Sequence, residues 1–214
     1  MSTRLRITEI FYSLQGETTF VGLPTVFVRL TGCPLRCQYC DTEYAFSGGH
    51  WYEQADIVKQ IQLHKTPYVT VTGGEPLAQK NCISLLTQLC ELNFKVSLET
   101  SGAIDVSQVD PRVIKIIDIK TPGSKEVQRN CYNNLKYLQP HDQIKFVLCD
   151  RNDFMWASQV IYDLDLVNHY EILFSPSAEQ LAATQLAEWI LEQRLPVRMQ
   201  IQLHKYLWGN IPGK

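Results

Sequence analysis

Short runs of β-branched and aromatic residues recur along this chain, separated by stretches whose apolar residues fall every three or four positions. The runs read as strands and the stretches as helices. Ile7-Thr8-Glu9-Ile10-Phe11-Tyr12 opens as a strand, and Thr25-Val26-Phe27-Val28-Arg29-Leu30 follows after the Gly22-Leu23-Pro24 turn. Residues 55–64 carry Ile57, Ile61 and His64 at helical spacing. Tyr68 to Thr72 predicts a strand, and residues 81–92 a helix with Cys82, Leu85, Leu86 and Leu89 on one face. Lys95 to Glu99 and Val113 to Lys120 predict strands, with a short helix around Asn133 to Leu138. Ile144 to Leu148 predicts another strand. Asp153 then caps a helix bearing Phe154, Ala157, Ile161 and Leu164. Glu171 to Phe174 is a strand, Ser177 or Ala178 starts a helix with Leu181, Leu186, Trp189 and Ile190, and Val197 to Ile201 is the last strand.

Strands alternating with helices in this way make repeated βα units and a mainly parallel sheet. The pattern holds about six units. A closed eight-unit barrel takes about 250 residues, and this chain has 214. The expected class is therefore α/β, a partial (open) TIM-like barrel of about six βα units with an N-terminal strand extension. No repeat, low-complexity tract or long linker divides the chain, so residues 1–214 read as one domain.

Composition narrows the partners. Net charge is −2, from 20 Lys and Arg against 22 Asp and Glu. No basic footprint marks a nucleic-acid surface, so direct binding of DNA or RNA is not expected. No apolar run reaches the length that spans a bilayer, and Met1-Ser2-Thr3-Arg4-Leu5-Arg6 lacks a following apolar region. The expectation is a soluble, cytoplasmic protein without a membrane partner. Seven cysteines in a reducing compartment argue against a disulfide framework. Cys82, Cys90, Cys131 and Cys149 are scattered among apolar residues, as small buried hydrophobes are.

The other three cysteines are clustered. Cys33, Cys37 and Cys40 are spaced C-x3-C-x2-C in the loop after the second strand. Three thiolates without a fourth suit a cubane iron–sulfur cluster with one open iron. A zinc site completed by His50 is the alternative, and the spacing alone leaves both open. A second motif, Gly73-Gly74-Glu75-Pro76, ends a strand. Two glycines let the backbone approach a ligand closely. Glu75 adds negative charge there or orients the loop. Glu99-Thr100, Asp118 to Lys120 and Ser175 also follow the carboxyl ends of strands, where parallel α/β folds build their sites.

The cysteine spacing, with Tyr39 just before Cys40, and the Gly-Gly-Glu-Pro element together resemble the radical S-adenosylmethionine (SAM) superfamily. Leu14-Gln15-Gly16-Glu17, Arg29, Cys40-Asp41-Thr42, Glu99-Thr100-Ser101-Gly102 and His204-Lys205-Tyr206-Leu207-Trp208-Gly209 narrow the resemblance. Their order is similar to that of the 7-carboxy-7-deazaguanine synthase family, from about residue 7 to the C-terminus.

The resemblance implies a single radical SAM domain and a carbon–nitrogen lyase of the queuosine pathway, which serves tRNA modification. 6-Carboxy-5,6,7,8-tetrahydropterin would become 7-carboxy-7-deazaguanine with loss of ammonia, after a 5′-deoxyadenosyl radical takes a hydrogen from the pterin. It implies a 4Fe–4S cluster on Cys33, Cys37 and Cys40, S-adenosyl-L-methionine, and Mg2+ on the Thr42 hydroxyl with Asp41 supplying nearby charge. Leu14, Gln15, Gly16, Glu17, Arg29, Thr72, His204 and the terminal carboxylate of Lys214 are the implied substrate contacts. Gly74, Glu75, Asp118, Ile119, Lys120, Ser175, Pro176, Ser177 and Ala178 are the implied cofactor contacts. A flavodoxin or ferredoxin type electron donor and a homodimer are implied as well. Two rival readings are a radical activase acting on a partner protein and a non-catalytic zinc-binding module. The first lacks a second cysteine cluster, and the second leaves the Gly-Gly-Glu-Pro element unexplained.

Overall fold

The β-branched residues of the short runs do enter strands. The structure, a computed structural model, describes residues 3–178, 180–211 and 213. Lys214 lies outside the described residues. The strands are β1 (Arg4–Leu14), β2 (Pro24–Leu30), β3 (His50–Glu53), β4 (Tyr68–Gly73), β5 (Lys95–Thr100), β6 (Ile114–Asp118), β7 (Gln143–Leu148), β8 (Glu171–Pro176) and β9 (Arg198–Met199). The helices are α1 (Gln54–Gln62), α2 (Cys82–Glu91), α3 (Arg151–Asp163), α4 (Ala183–Gln193) and α5 (Leu203–Trp208). Among the described residues they form one sheet in the order β3-β1-β2-β4-β5-β6-β7-β8-β9. From β2 to β9 every neighbouring pair is parallel. β1 runs antiparallel to both β2 and β3, as the expected N-terminal extension. β3 and β9 are the two edges, so the sheet curves without closing.

Period-two alternation divides the parallel strands between two environments. Val69, Val71, Val96, Leu98, Ile117, Ile144, Phe146, Ile172 and Phe174 join the hydrophobic core with residues of α1, α2, α3 and α4. Phe174 meets Phe146 and Phe154 edge to face, at centroid separations of 5.5 and 6.1 Å. Each such buried side chain contributes about 1.5–3 kcal/mol. The intervening residues are polar far more often: Thr70, Thr72, Ser97, Glu99, Asp118, Gln143, Lys145 and Ser175. They face the inside of the curved sheet.

Several elements differ from the sequence pattern. The helix expected near Asn133 to Leu138 is a 3-10 helix, Tyr132–Tyr137, and two shorter 3-10 turns precede it. The reason is Asn134, which is buried and donates to the carbonyls of Gly102 and Ile104 while accepting from Val106 N. Such side-chain bonds to backbone compete with a helical ladder. The β5–β6 and β6–β7 connections therefore carry no α-helix.

α3 is capped by Asp150, whose carboxylate accepts from Asp153 N at 2.9 Å. Asp153 instead fastens the loop after β6, accepting from Thr121 Oγ1, Gly123 N and Cys149 N. Ser177 closes a turn through Leu181 N, so α4 starts only at Ala183. The last strand shrinks to Arg198–Met199, and β3 and α5 had no periodic signal. Among the described residues, no helix is long and apolar enough to cross a membrane.

At the amino-terminal ends of the strands, Lys115 and Asp142 form a buried ion pair at 2.8 Å with side chains 1% and 0% exposed. Asp142 also accepts from the backbone N of Lys115 and of Gln139. Removing one partner of such a pair strands the other charge. Asp142→Ala is expected to lower the unfolding free energy by about 3–5 kcal/mol in urea titrations. A change below about 1 kcal/mol, the range of exposed pairs, would show that the pair carries no such weight.

Candidate active site

β2 ends at Leu30, and the chain turns through Gly32, whose φ of 100° suits glycine. Cys33 begins the cysteine loop there. The loop is held against the end of β4. Gly74 N donates to Leu30 O at 3.2 Å and Glu75 N to Gly32 O at 2.8 Å. A Cβ on Gly73 would strike the carbonyl of Leu30, and one on Gly74 would lie 2.7 Å from Cys33 Cβ. The glycine pair thus admits the cysteine loop itself, and not only a ligand. Glu75 is fully buried and does not line the cavity. Its carboxylate accepts from Leu77 N, Thr100 Oγ1, Ser101 N and Ser101 Oγ, so it ties the ends of β4 and β5 together.

A cavity of about 900 Å³ opens at the carboxyl ends of the strands. Cys33, Cys37 and Cys40 line one end, half-buried and unbridged. Burial pushes all three thiols up, Cys37 to about 11. Arg36 braces the loop, donating to the carbonyls of Cys33 and Leu35 with its guanidinium 4.2 Å from the Phe46 ring. His50 lies on β3, opposite Ile7. Among the described residues, no three His, Cys, Asp or Glu side chains converge as they would around a single ion.

Beside the cysteines stand Asp118 and Lys120, joined at 2.7 Å. Burial would lower the Lys120 pKa, but Asp118 and the Cys37 thiol hold it above its ordinary value. Ser175, Pro176, Ser177 and Ala178 continue this wall from the end of β8. Ile119 points away into the core, and its N–H bonds Lys145 O. Three buried polar atoms here have no protein partner: Tyr39 OH, Asp118 Oδ1 and Ser175 Oγ. Buried polar atoms are rarely left so. They suit a polar cofactor that completes them, and the three thiols suit a cluster with one open iron.

The other end of the cavity is built from charge. Leu14, Gln15 and Glu17 line it, with Arg29 and Thr72. Glu17 pairs with Lys145. Burial would raise the Glu17 pKa, yet Lys145 outweighs it and holds the carboxylate below its usual value. Burial likewise opposes the Lys145 charge, and Glu17 keeps that lysine charged well above its ordinary value. Glu99 is pushed up by burial and by Glu17. It accepts from Thr72 Oγ1 at 2.9 Å and Gln15 Nε2 at 3.4 Å. Gln15 also donates to Thr70 and accepts from Glu17 N, so its amide fixes these carboxylates. Arg29 Nε meets Glu9 at 2.7 Å, between the rings of Phe11 and Tyr44.

α5 closes this end. Leu203 N donates to Gly16 O at 3.0 Å, and a Cβ on Gly16 would strike the His204 ring. Gly16 thus sits behind the wall and His204 on it. Burial lowers the His204 pKa. Thr42 Oγ1 donates to Asp41 Oδ1 at 2.8 Å, while Lys205 and Gln202 reach Asp41 Oδ2. Lys145 and Gln202 were not singled out by the sequence, and Lys205 only within the C-terminal motif, without a role. Lys145 had a signal: a lone lysine at an inward position of an apolar strand.

Comparison with known proteins agrees with this geometry. Residues 27–118 match the Radical SAM superfamily. The chain is 46% identical to the 7-carboxy-7-deazaguanine synthase of Chlorobaculum tepidum, over 98% of this chain and 97% of that one. It is 39% identical to the 7-carboxy-7-deazaguanine synthase of Koribacter versatilis, over 95% and 97%. The crystal structure of QueE from Escherichia coli shares the fold, with a TM-score of 0.77 at 23% identity over 94% of this chain and 95% of that one. Three cysteines in one loop, a sheet that stops short of closing and full-length identity of this order have one common explanation: the chain belongs to the 7-carboxy-7-deazaguanine synthase family of radical SAM enzymes.

Proposed function

We propose that this chain is a lyase converting 6-carboxy-5,6,7,8-tetrahydropterin to 7-carboxy-7-deazaguanine with loss of ammonia. The observation that carries the reading is the single cavity, which has the three-cysteine loop at one end and a charged, hydrogen-bonding wall at the other. Family membership supports the cluster and S-adenosylmethionine. Cys33, Cys37 and Cys40 would hold the cluster, which with bound S-adenosylmethionine would supply the radical that takes hydrogen from substrate. The reading also carries Mg2+ on Thr42, one radical SAM domain over the whole chain, a homodimer, and a flavodoxin or ferredoxin type donor. The radical activase and the zinc module are not favoured.

The chain's own residues then have definable work. Arg29 offers its guanidinium to the substrate carboxylate, with Glu9 holding its Nε edge. Thr72 and Glu99, whose carboxyl burial and Glu17 push up, offer hydrogen-bonding groups toward a pterin edge. Asp118, Lys120 and residues 175–178 face the cysteines and offer polar atoms to the cofactor's amino-acid and ribose groups. Glu75 acts from behind, fixing the β4 and β5 ends that frame this region. Gly16 gives the C-terminal segment a place to dock. Together these groups hold both molecules in contact and keep water out.

Anaerobic reconstitution with iron and sulfide is expected to give a brown protein with 4Fe–4S absorbance. With reductant, S-adenosylmethionine, Mg2+ and 6-carboxytetrahydropterin it should form the deazaguanine. Cleavage of S-adenosylmethionine without that product would point to another substrate. Cys37→Ala is expected to abolish both the cluster absorbance and turnover, and a retained cluster would remove Cys37 from the ligand set. Thr42→Ala should keep the cluster but weaken the response of rate to Mg2+; an unchanged response refutes the role given to Thr42.

A further inference from the structure

Asp41 and Thr42 end the cysteine loop where it meets the substrate wall. The Thr42 proton is directed at Asp41 Oδ1, 2.8 Å away, so the lone pairs of the hydroxyl remain for a cation. The other carboxylate oxygen, Asp41 Oδ2, is occupied from α5. Lys205 Nζ lies 2.7 Å from it and Gln202 Nε2 3.0 Å. The same Gln202 nitrogen reaches Glu17 Oε1 at 2.9 Å. Glu17 in turn holds Lys145.

Asp41 and Glu17 are thus each matched by an ammonium. Magnesium is a hard ion held through one or two carboxylates and often through substrate, and it keeps several waters. A hydroxyl and an already neutralised carboxylate form half of such a site. Thr42 and Asp41 fit the ion by donor type, and the missing negative charge is one the substrate carries.

Resting on the magnesium reading above, we infer that Lys205 is a positioning residue which neutralises Asp41, so that the Thr42 cation site is completed only by the substrate's own carboxylate. Lys205 is fixed for this task and not merely nearby. Its helix is anchored at the first turn by Leu203 N on Gly16 O, with the His204 ring packed on Gly16. Its side chain is 22% exposed, whereas Asp41 is 47% exposed and open to solvent ions. Without the ammonium, Asp41 would bind a divalent ion directly, before substrate arrived.

The test uses the reconstituted holoprotein with its cluster oxidised and EPR-silent, and Mn2+ as the probe. No reductant is present, so substrate is not consumed. Wild type is expected to bind Mn2+ weakly alone and more tightly with 6-carboxytetrahydropterin. Lys205→Met should bind Mn2+ about tenfold more tightly without substrate, from removal of one like charge near the ion. Lys205→Arg should restore the weak binding. Adding Asp41→Asn to Lys205→Met should abolish the gain. The inference is overturned if Lys205→Met binds Mn2+ no better than wild type, or if the gain survives Asp41→Asn. If substrate fails to tighten Mn2+ binding in wild type, and Thr42→Ala changes nothing, the magnesium reading itself has failed. Substrate-linked binding that Thr42→Ala abolishes, with Lys205→Met unchanged alone, would leave that reading standing and remove only Lys205.

Discussion

The backbone of Gly73 and Gly74 lies so close to Leu30, Gly32 and Cys33 that no side chain fits between them. The site depends on this approach. A loop carrying three thiols has little periodic structure of its own, and needs a rigid partner to hold its base. Here the partner is the end of a buried parallel strand. Gly74 N and Glu75 N pin the loop by hydrogen bonds, and buried Glu75 passes the constraint on to Thr100 and Ser101 at the end of β5. The base of the cysteine loop is therefore tied to the sheet.

A second constraint comes from charge inside the curve of the sheet. A buried ion is costly unless paired. Lys145 with Glu17 and Lys120 with Asp118 meet that demand, and Lys205 with the more exposed Asp41 adds a third pair. Glu99, without a lysine of its own, is pushed toward its neutral form. The result is a polar interior with little net charge, suited to ligands that bring their own. The cofactor's amino-acid group and the substrate's carboxylate and ring edge are such ligands.

Much of this was legible in the sequence, because the strand runs, helix faces and cysteine spacing are local signals. The four apolar helices and the parallel strands follow directly from periodicity. The failures were tertiary. Asn134 replaced a helix by binding three backbone groups from a segment some thirty residues away, and no window of sequence contains that. Gly16 was read as facing substrate, whereas it sits behind the wall and its missing side chain admits His204; Gly74 lines the cavity and also makes room for Cys33. The roles of Lys145, Gln202 and Lys205 escaped for a related reason. A charge on a strand or a short helix acquires meaning only when the fold supplies its counter-ion.

The C-terminal docking has a consequence for the order of events during synthesis. Thr18 N bonds Gln200, Gly16 O bonds Leu203 N, and Glu17 bonds Gln202, so residues 16–18 are joined to residues 200–203, which are made well after them. All the strands before β9 emerge from the ribosome before this seam can form. For that interval Gly16 and Glu17 lack the partners that Leu203 and Gln202 give them in the folded chain.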